Sequence, residues 1–306
     1  MAKARRRPGR KGGGGGSGNP QRRAAEAHLA ALVDPVERAL ARLRHLLVFG
    51  DASDPLQAVC VPALVLDAIV AANADVLPAE RCVDDCTTLV HAYAQLGIKA
   101  QVRAVELTIT DTRTGEASTH GSPTPWWEDG MIHGHTVVWI PQPGCLIDPT
   151  ADQFAPLRAQ DSGPVIATRS PGDEGPVRLQ RGRLQLSYSL ASHQASAELL
   201  DHPDAQADLL GHRRRGLNIA SAALAVMDEH LPSARRRRIP HPRVAALLAA
   251  ITGLPDSRTP EGDWRFAVPG PDGKPIHLRL DELPLAAKTP PVIPTEGLTH
   301  SGETRA

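Results

Sequence analysis

The hydrophobic period of the chain changes at Gly97, and this change sets the fold class. Before Gly97, apolar residues recur at spacings of three and four up to Leu96, which is typical of an amphipathic helix ended by a glycine cap. After it, apolar and polar residues alternate from Val105 to Thr110, which is typical of a strand with one buried face. We therefore predict an α+β protein in which a helix packs on an antiparallel sheet.

Other segments extend this prediction in both directions. Helical patterns cover residues 24–47, 56–74 and 78–96, with Pro35 as a break or a new first turn and Pro78 in the first turn of the third helix. The Ser-, Pro- and Gly-rich stretch from 117 to 134 is predicted to be a loop. Strand, helix and hairpin patterns later in the chain cover residues 184–190, 217–227, 244–251, 264–268 and 276–280.

These patterns divide the chain into four regions. Residues 1–23 form a basic, Gly-rich tail and residues 287–306 a Pro-, Thr- and Gly-rich tail, and we predict both to be disordered because they cannot bury apolar surface. Residues 24–162 are predicted to form the core domain with its N-terminal helices. Residues 163–286 are predicted to form a mixed α/β accessory region.

A turn signal at Pro141–Gly144 predicts a hairpin with a defined register. If Ile140 pairs with Cys145, then Val137 lies opposite Asp148, because the residue numbers of paired positions in an antiparallel hairpin have a constant sum. His135 lies on the same strand face as Val137, diagonal to Asp148, with Cβ atoms within roughly 8 Å. A shift of one residue would move the carboxylate to the other face of the sheet.

Composition and cysteine usage limit the class of protein. The 306 residues contain 34 Lys and Arg and 34 Asp and Glu, so no overall charge attracts the chain to nucleic acid or membrane. The basic, Gly-rich N-terminus lacks the apolar stretch of a secretory signal, and no apolar run reaches the ~20 residues of a membrane span. We therefore expect a cytoplasmic protein with reduced thiols and no membrane partner.

Three residues supply the groups of a nucleophilic cysteine site in chain order. Cys82 lies near the start of the predicted helix, His135 begins a predicted strand, and Asp148 follows the hairpin turn. A thiolate can attack, an imidazole can move the proton, and a carboxylate can orient the imidazole. Cys86, one helical turn further on, is the alternative nucleophile, and His133 is the alternative base.

The motifs around these residues resemble those of the transglutaminase-like superfamily. The resemblance rests on Cys82-Val83-Asp84, on Gly97-Ile98-Lys99-Ala100, on His135-Thr-Val-Val-Trp and on Asp148-Pro149-Thr150, and it covers roughly residues 56–154. It implies a papain-like core and a Cys82, His135 and Asp148 triad. The implied reaction is acyl transfer or amide hydrolysis on a protein, peptide or small amide, without a cofactor or metal.

Further residues are expected to complete the site. Trp126 and Trp127, in the predicted loop before His133, would line an acyl-substrate groove, or else form a plug over the core. The backbone N–H of Cys82 is the natural oxyanion donor, with Gln57 as a conceivable second donor.

Two other interpretations remain open. A non-catalytic member of the same fold could act as an interaction module, with the basic runs 213–215 and 235–238 contacting nucleic acid or an acidic partner. Alternatively, Cys82 and Cys86 on one helical face and His133 and His135 on one strand face could bind zinc.

Overall fold

A computed structural model describes residues 19–73, 81–160, 162–170, 172–251, 257–258 and 264–283. In this part of the chain, α-helices pack on a large antiparallel sheet, so the predicted α+β class is confirmed. The predictions for Pro78, for residues 1–18 and for the C-terminal tail concern residues outside the described part of the chain.

Three helices open the described chain, and each begins with a proline that follows an acidic or amide cap. They are α1 (Pro20–Ala31), α2 (Pro35–Phe49) and α3 (Pro55–Ala72). The side chains of Asn19, Asp34 and Asp54 accept hydrogen bonds from the N–H groups of their first turns. Pro35 therefore starts a new helix. The predicted disorder is wrong for residues 20–23, because the Asn19 cap starts a helix there.

Helix α4 (Cys82–Gln95) carries both candidate cysteines, and Cys82 is its first residue. The predicted helix covered residues 78–96, but Arg81 has non-helical angles and forms the cap of a helix that starts at Cys82. The helix is followed by Gly97 with φ +71°, in the left-handed region that favours glycine. Almost all of α4 is buried, since it packs on α3 and against the sheet. The N–H groups of its first turn, including that of Cys82, have no acceptor within the helix.

Helix α3 is long and apolar enough to cross a membrane by length and composition, with a mean hydropathy of 1.9 over 18 residues. Half of those residues are buried inside the fold. The Tyr93 hydroxyl of α4 donates a 2.6 Å hydrogen bond to the Val59 carbonyl of α3. A core helix passes the same test of length and composition, so this is weak evidence for a membrane span.

The sheet is antiparallel throughout and nearly closes on itself. Its path is β7-β6-β5-β1-β9-β8, with β2 pairing the second half of β1, and the end strands β7 and β8 lie in contact. Its strands are β1 (Gln101–Asp111), β2 (Ala117–Gly121), β5 (His135–Ile140), β6 (Cys145–Asp148), β7 (Val165–Thr168), β8 (Val177–Arg181) and β9 (Leu184–Leu190).

The hairpin between β5 and β6 has the predicted register. Ile140 pairs with Cys145, and the pairing continues to Val138 opposite Ile147. Alternate residues therefore serve different cores: Val138 and Ile147 pack against the helices, whereas Val137 packs inside the curved sheet. His135 lies two residues before Val137 on the same strand, so its side chain is on the same face, inside the curved sheet.

The predicted loop at residues 117–134 contains strand β2, which pairs with β1, and a small hairpin instead. Strands β3 (Trp126–Glu128) and β4 (Met131–His133) pair around Asp129 and Gly130, which have φ of 51° and 74°. Two residues with positive φ, one of them glycine, form the tight turn favoured in such hairpins. The Asp-Gly pair was the local signal for these strands.

The C-terminal region contributes to the same sheet as the predicted core domain. β9 pairs with β1 and β7 pairs with β6. A domain boundary at residue 163 would therefore cut through one continuous sheet. The predicted helices and final hairpin are present, and helix α8 packs on α4. The remaining elements are α5 (Ala155–Arg158), α6 (His193–Leu200), α7 (Pro203–Gln206), α8 (Leu209–His230), α9 (Ser233–Arg236), α10 (Pro242–Ala250), β10 (Ser257–Arg258), β11 (Trp264–Pro269) and β12 (Pro275–Leu278).

Candidate active site

His135 and Asp148 form a buried pair at the ends of neighbouring strands. The His135 Nε2 lies 2.8 Å from the Asp148 Oδ2, and the two side chains are 1% and 0% exposed. This is the diagonal contact that the hairpin register predicted. A carboxylate on one ring nitrogen orients the imidazole and selects its tautomer.

Asp148 is surrounded by hydrogen-bond donors. Besides His135, the Tyr188 hydroxyl of β9 donates to Oδ2 at 3.0 Å, and the Thr150 backbone N–H donates to Oδ1 at 3.1 Å. The Thr150 bond explains why a turn follows Asp148 directly, since an Asp side chain readily bonds the N–H two residues on. The buried carboxylate therefore has partners on both oxygens, which a buried charge requires.

The other ring nitrogen of His135 meets Gln153. The Gln153 Nε2 lies 2.9 Å from the His135 Nδ1 and donates to it when Nδ1 is unprotonated. Because Nε2–H donates to Asp148, Nδ1 is the nitrogen left to exchange a proton with a nucleophile. Gln153 thus holds the ring from the side opposite Asp148.

The Cys82 thiol interacts with His135 and with Thr136. Burial raises the pKa of Cys82, but hydrogen bonding and charge interaction with His135, together with bonds from Thr136, outweigh burial and lower it below the ordinary 9.0. Burial likewise lowers the pKa of His135, but Asp148 and Cys82 outweigh it and raise that pKa to about 10. These opposite shifts favour a thiolate paired with an imidazolium.

Cys82 is the one cysteine of the four whose thiol pKa is lowered. Burial raises the pKa of Cys60 to about 12, and it raises the pKa values of Cys86 and Cys145 as well. The Cys86 thiol is fully buried and donates to the Thr136 carbonyl at 3.4 Å. Cys86 therefore has the packing role predicted for it. All four cysteines are free.

The two aspartates after Cys82 have partners away from the sulfur. The Asp84 Oδ1 lies 3.4 Å from the His212 Nε2, and the Asp85 Oδ1 accepts a 2.8 Å bond from Arg81. Burial raises the pKa of Asp85 to about 6 despite the neighbouring guanidinium. Carboxylates so near in sequence to a thiolate would repel it, and these partners offset part of that repulsion.

Strand β2 and the turn after Asp148 enclose the His135 ring. A Cβ added to Gly121, whose φ is +76°, would clash with the Val105 carbonyl and lie 2.9 Å from the His135 Cβ. The Phe154 ring packs edge-on against His135, with ring centroids 5.0 Å apart. Gly121 is therefore required both for its backbone conformation and for the close approach to His135.

The alternative base and the alternative zinc site are not assembled. His133 is 40% exposed, lies 3.2 Å from Glu128 and stacks on Trp126 at 5.0 Å. No group of three or more His, Cys, Asp or Glu in the described ranges is arranged to hold a metal ion. His133 and His135 are therefore used separately, one at the surface and one in the buried pair.

Three accessory predictions have different outcomes. Gln57 does not reach the site, because its amide caps helix α2 by donating to the Leu46 carbonyl at 3.0 Å. Trp127 is partly buried, donates to the Leu199 carbonyl at 3.0 Å and stacks on His202. Trp126 is 52% exposed. Both indoles lie on β3 instead of a loop, and their contact with a substrate stays a prediction.

Sequence reasoning missed Gln153 and Tyr188. Gln153 lies three residues after Thr150, and this closeness to the Asp-Pro-Thr turn could have identified it as a candidate site residue. Tyr188 was recognised as part of a strand, but nothing local linked that strand to Asp148, which precedes it by 40 residues.

Fold and site together define an α+β protein with a buried Cys-His-Asp cluster. Comparison with known proteins finds no matching family model, no matching curated protein and no matching solved structure. The resemblance to the transglutaminase-like superfamily therefore rests on the sequence motifs alone.

Proposed function

We propose that this protein is a papain-like, transglutaminase-like enzyme that performs cysteine-dependent acyl transfer or amide hydrolysis. One observation carries the proposal: His135 joins Asp148 at 2.8 Å and lowers the thiol pKa of Cys82, while the pKa values of the other three cysteines are raised. An activated thiol, a proton carrier and an orienting carboxylate are the three groups that this chemistry needs.

The proposed reaction uses these side chains in two steps. The Cys82 thiolate attacks the acyl carbon of an amide, and the His135 imidazolium gives its proton to the departing amine, which leaves a thioester on Cys82. Water or a second amine, deprotonated by His135, then attacks the thioester and releases the thiolate. The N–H of Cys82, in the first turn of α4, is the proposed oxyanion donor.

The substrate class follows from this chemistry. A protein, peptide or small amide supplies the acyl group, and the steps require neither cofactor nor metal. We propose a cytoplasmic location, where thiols stay reduced.

The test is direct detection of the thioester. The purified chain is incubated with small amides and thioesters, and intact mass spectrometry records an acyl adduct, which peptide mapping should place on Cys82. Cys82→Ser and His135→Ala should lose the adduct. Cys86→Ser is the matched control, one helical turn away, and should keep it. Failure of wild type to form an adduct or to label selectively at Cys82 with iodoacetamide contradicts the proposal.

Closure of the site favours a second candidate, a non-catalytic interaction module of the same fold. Cys82 is 3% exposed, and Gln153 contacts the nitrogen that would serve the thiol. Two pockets of about 560 and 520 Å³ are lined by other residues. This candidate predicts no adduct and no selective labelling.

The basic runs are the proposed contact surface of such a module, and part of their charge has internal partners. Arg215 pairs with Asp208 at 2.9 Å, Arg236 pairs with Asp228, and Arg235 donates to the Val48 carbonyl. A module that binds nucleic acid should show affinity for DNA that falls steeply with salt. Neutralising residues 213–215 or 235–238 should abolish that salt dependence.

A further inference from the structure

A second pocket, of about 520 Å³, is lined by cationic side chains that the proposed reaction does not use. Its walls include Arg103 of β1, Trp139 of β5, Arg169 after β7, and His193 at the start of α6. Arg103 pairs with Val137 across the sheet, so the pocket lies along the same strands as His135 but is lined by different residues.

Arg103 is buried without an anionic partner. It is 7% exposed, and its guanidinium donates to the Ser196 hydroxyl at 3.3 Å, to the His193 Nε2 at 3.2 Å and to the Ala191 carbonyl. All three acceptors are uncharged when His193 is neutral. The charge of Arg103 is therefore hydrogen-bonded but not neutralised within the described residues.

Arg169 has even fewer partners. Its guanidinium carbon lies 4.9 Å from the centroid of the Trp139 ring, and its buried Nε has no hydrogen-bond partner among the described residues. Glu174 also lines the pocket, but it is exposed and forms no ion pair with either arginine in the described part of the chain. A buried N–H donor without an acceptor is destabilising, and an oxygen of a ligand would satisfy it.

The two guanidiniums also repel each other. Burial lowers the pKa of Arg103, and the charge of Arg169 lowers it further. Two like charges that share a pocket and form no ion pair with Glu174, its acidic lining residue, are stabilised by an anion that contacts both. Arginine forks match the planar geometry of carboxylate and phosphate oxygens.

We propose that this pocket binds the oxyanion group, carboxylate or phosphate, of a small organic molecule. Arg103 and Arg169 contact the anionic oxygens, and the open Nε of Arg169 supplies one of the donors. The volume exceeds what one inorganic anion fills and lies in the range of organic ligand sites, so the remainder of the ligand lies against the Trp139 wall.

Isothermal titration and thermal melting with inorganic phosphate and with succinate test the proposal. We expect saturable binding of at least one anion at a single site and a melting temperature that rises with its concentration. Binding of phosphate alone identifies a phosphate ligand, and binding of succinate alone identifies a carboxylate ligand.

Matched variants locate the site. Arg169→Gln should weaken binding by about tenfold or more, because a charge-assisted contact is lost. Arg44→Gln removes the same charge from an exposed position of α2 and should leave binding unchanged. Arg169→Lys keeps the positive charge but lacks the paired N–H donors of a guanidinium, so it should bind with intermediate affinity. This variant keeps the test valid if Arg169→Gln folds poorly. Cys82→Ser should bind like wild type.

Two results would overturn the proposal. The first is the absence of saturable binding of both anions to the wild-type chain. The second is an equal loss of affinity in Arg44→Gln and Arg169→Gln, which would show a general charge effect.

Discussion

Each nitrogen of the His135 ring has its own partner, and the partners decide which proton can move. Asp148 accepts from Nε2–H, which leaves Nδ1 between the Gln153 amide and the thiol. When Nδ1 gains the thiol proton it becomes a donor directed at the thiolate, so the Gln153 N–H can no longer donate to it. Formation of the ion pair therefore breaks the hydrogen bond from Gln153 to His135.

The opposite pKa shifts predict the pH dependence of thiol labelling. The thiolate and the imidazolium coexist between the lowered pKa of Cys82 and the His135 pKa of about 10. Iodoacetamide should therefore modify Cys82 with a midpoint below 9.0, the ordinary thiol value, whereas Cys60, with a pKa of about 12, should react slowly. Peptide mass spectrometry between about pH 5 and pH 9 measures both rates. Equal rates at both cysteines would disprove an activated Cys82.

Tyr188 predicts a loss of stability that is coupled to the site. Tyr188→Phe removes a donor from the buried Asp148 carboxylate, so the free energy of unfolding should fall by about 1–3 kcal/mol in urea titrations. Tyr93→Phe is the control, because Tyr93 is also fully buried but donates to the Val59 carbonyl. Both variants should lose stability, and only Tyr188→Phe should shift the labelling midpoint of Cys82. A shift in both variants would show a global effect.

At the scale of elements, the start of α4 packs on the first residues of β5. The pairing of β5 with β6 ends at Val138 opposite Ile147, and Thr136 lies beyond this ladder. There the Thr136 carbonyl accepts from Cys86, and Thr136 groups bond to Cys82. A longer β6 would have paired with these main-chain groups of Thr136, but here they bond to the cysteines of α4. These bonds hold Cys82 beside His135.

Gly121 predicts how strand β2 controls the position of His135. Gly121→Ala places a methyl group against the His135 Cβ, whereas Gly115→Ala at nearly the same φ, +77°, meets nothing within 4 Å. Gly115→Ala should cost about 1–2 kcal/mol of stability from backbone strain alone. Gly121→Ala should cost more and should also reduce Cys82 labelling at neutral pH. Equal melting temperatures and equal labelling would show that β2 does not constrain the ring.

At the scale of the whole molecule, the region predicted to be accessory completes the sheet. β9 pairs with β1 along seven residues, and Tyr188 of β9 reaches Asp148. The helices follow the same pattern, since α8 packs on α4 and its His212 contacts Asp84. The surroundings of Asp148 and of the first turn of α4 therefore include residues from both sides of the predicted boundary at 163.

Truncation tests this unity. A chain that ends at residue 162 loses β7, β8, β9 and all later helices, so it should show no cooperative thermal transition by circular dichroism. A chain that ends at Leu283 keeps every described element and should unfold cooperatively. A cooperative transition in the shorter chain would show that residues 24–162 fold alone, which would support the predicted domain boundary.

Local pattern was enough to predict several parts of this protein. The change of period at Gly97 predicted α4 and β1, and the turn at Pro141–Gly144 predicted the register that joins His135 to Asp148. These features depend on residues that are close together in the sequence, so their spacing can be read from it. The Asp129-Gly130 hairpin had the same kind of signal, although the polar composition around it suggested a loop.

Other features were decided only by the tertiary structure. The interaction of Cys82 with His135, the Tyr188 bond to Asp148 and the presence of Arg103 and Arg169 in one pocket all involve residues far apart in the chain. Such contacts have no periodicity and depend on how the sheet curves and which helix covers it. The sequence by itself determined which groups are present and their local faces, and closure of the sheet decided which of them meet, because long-range packing selects contacts that no local pattern encodes.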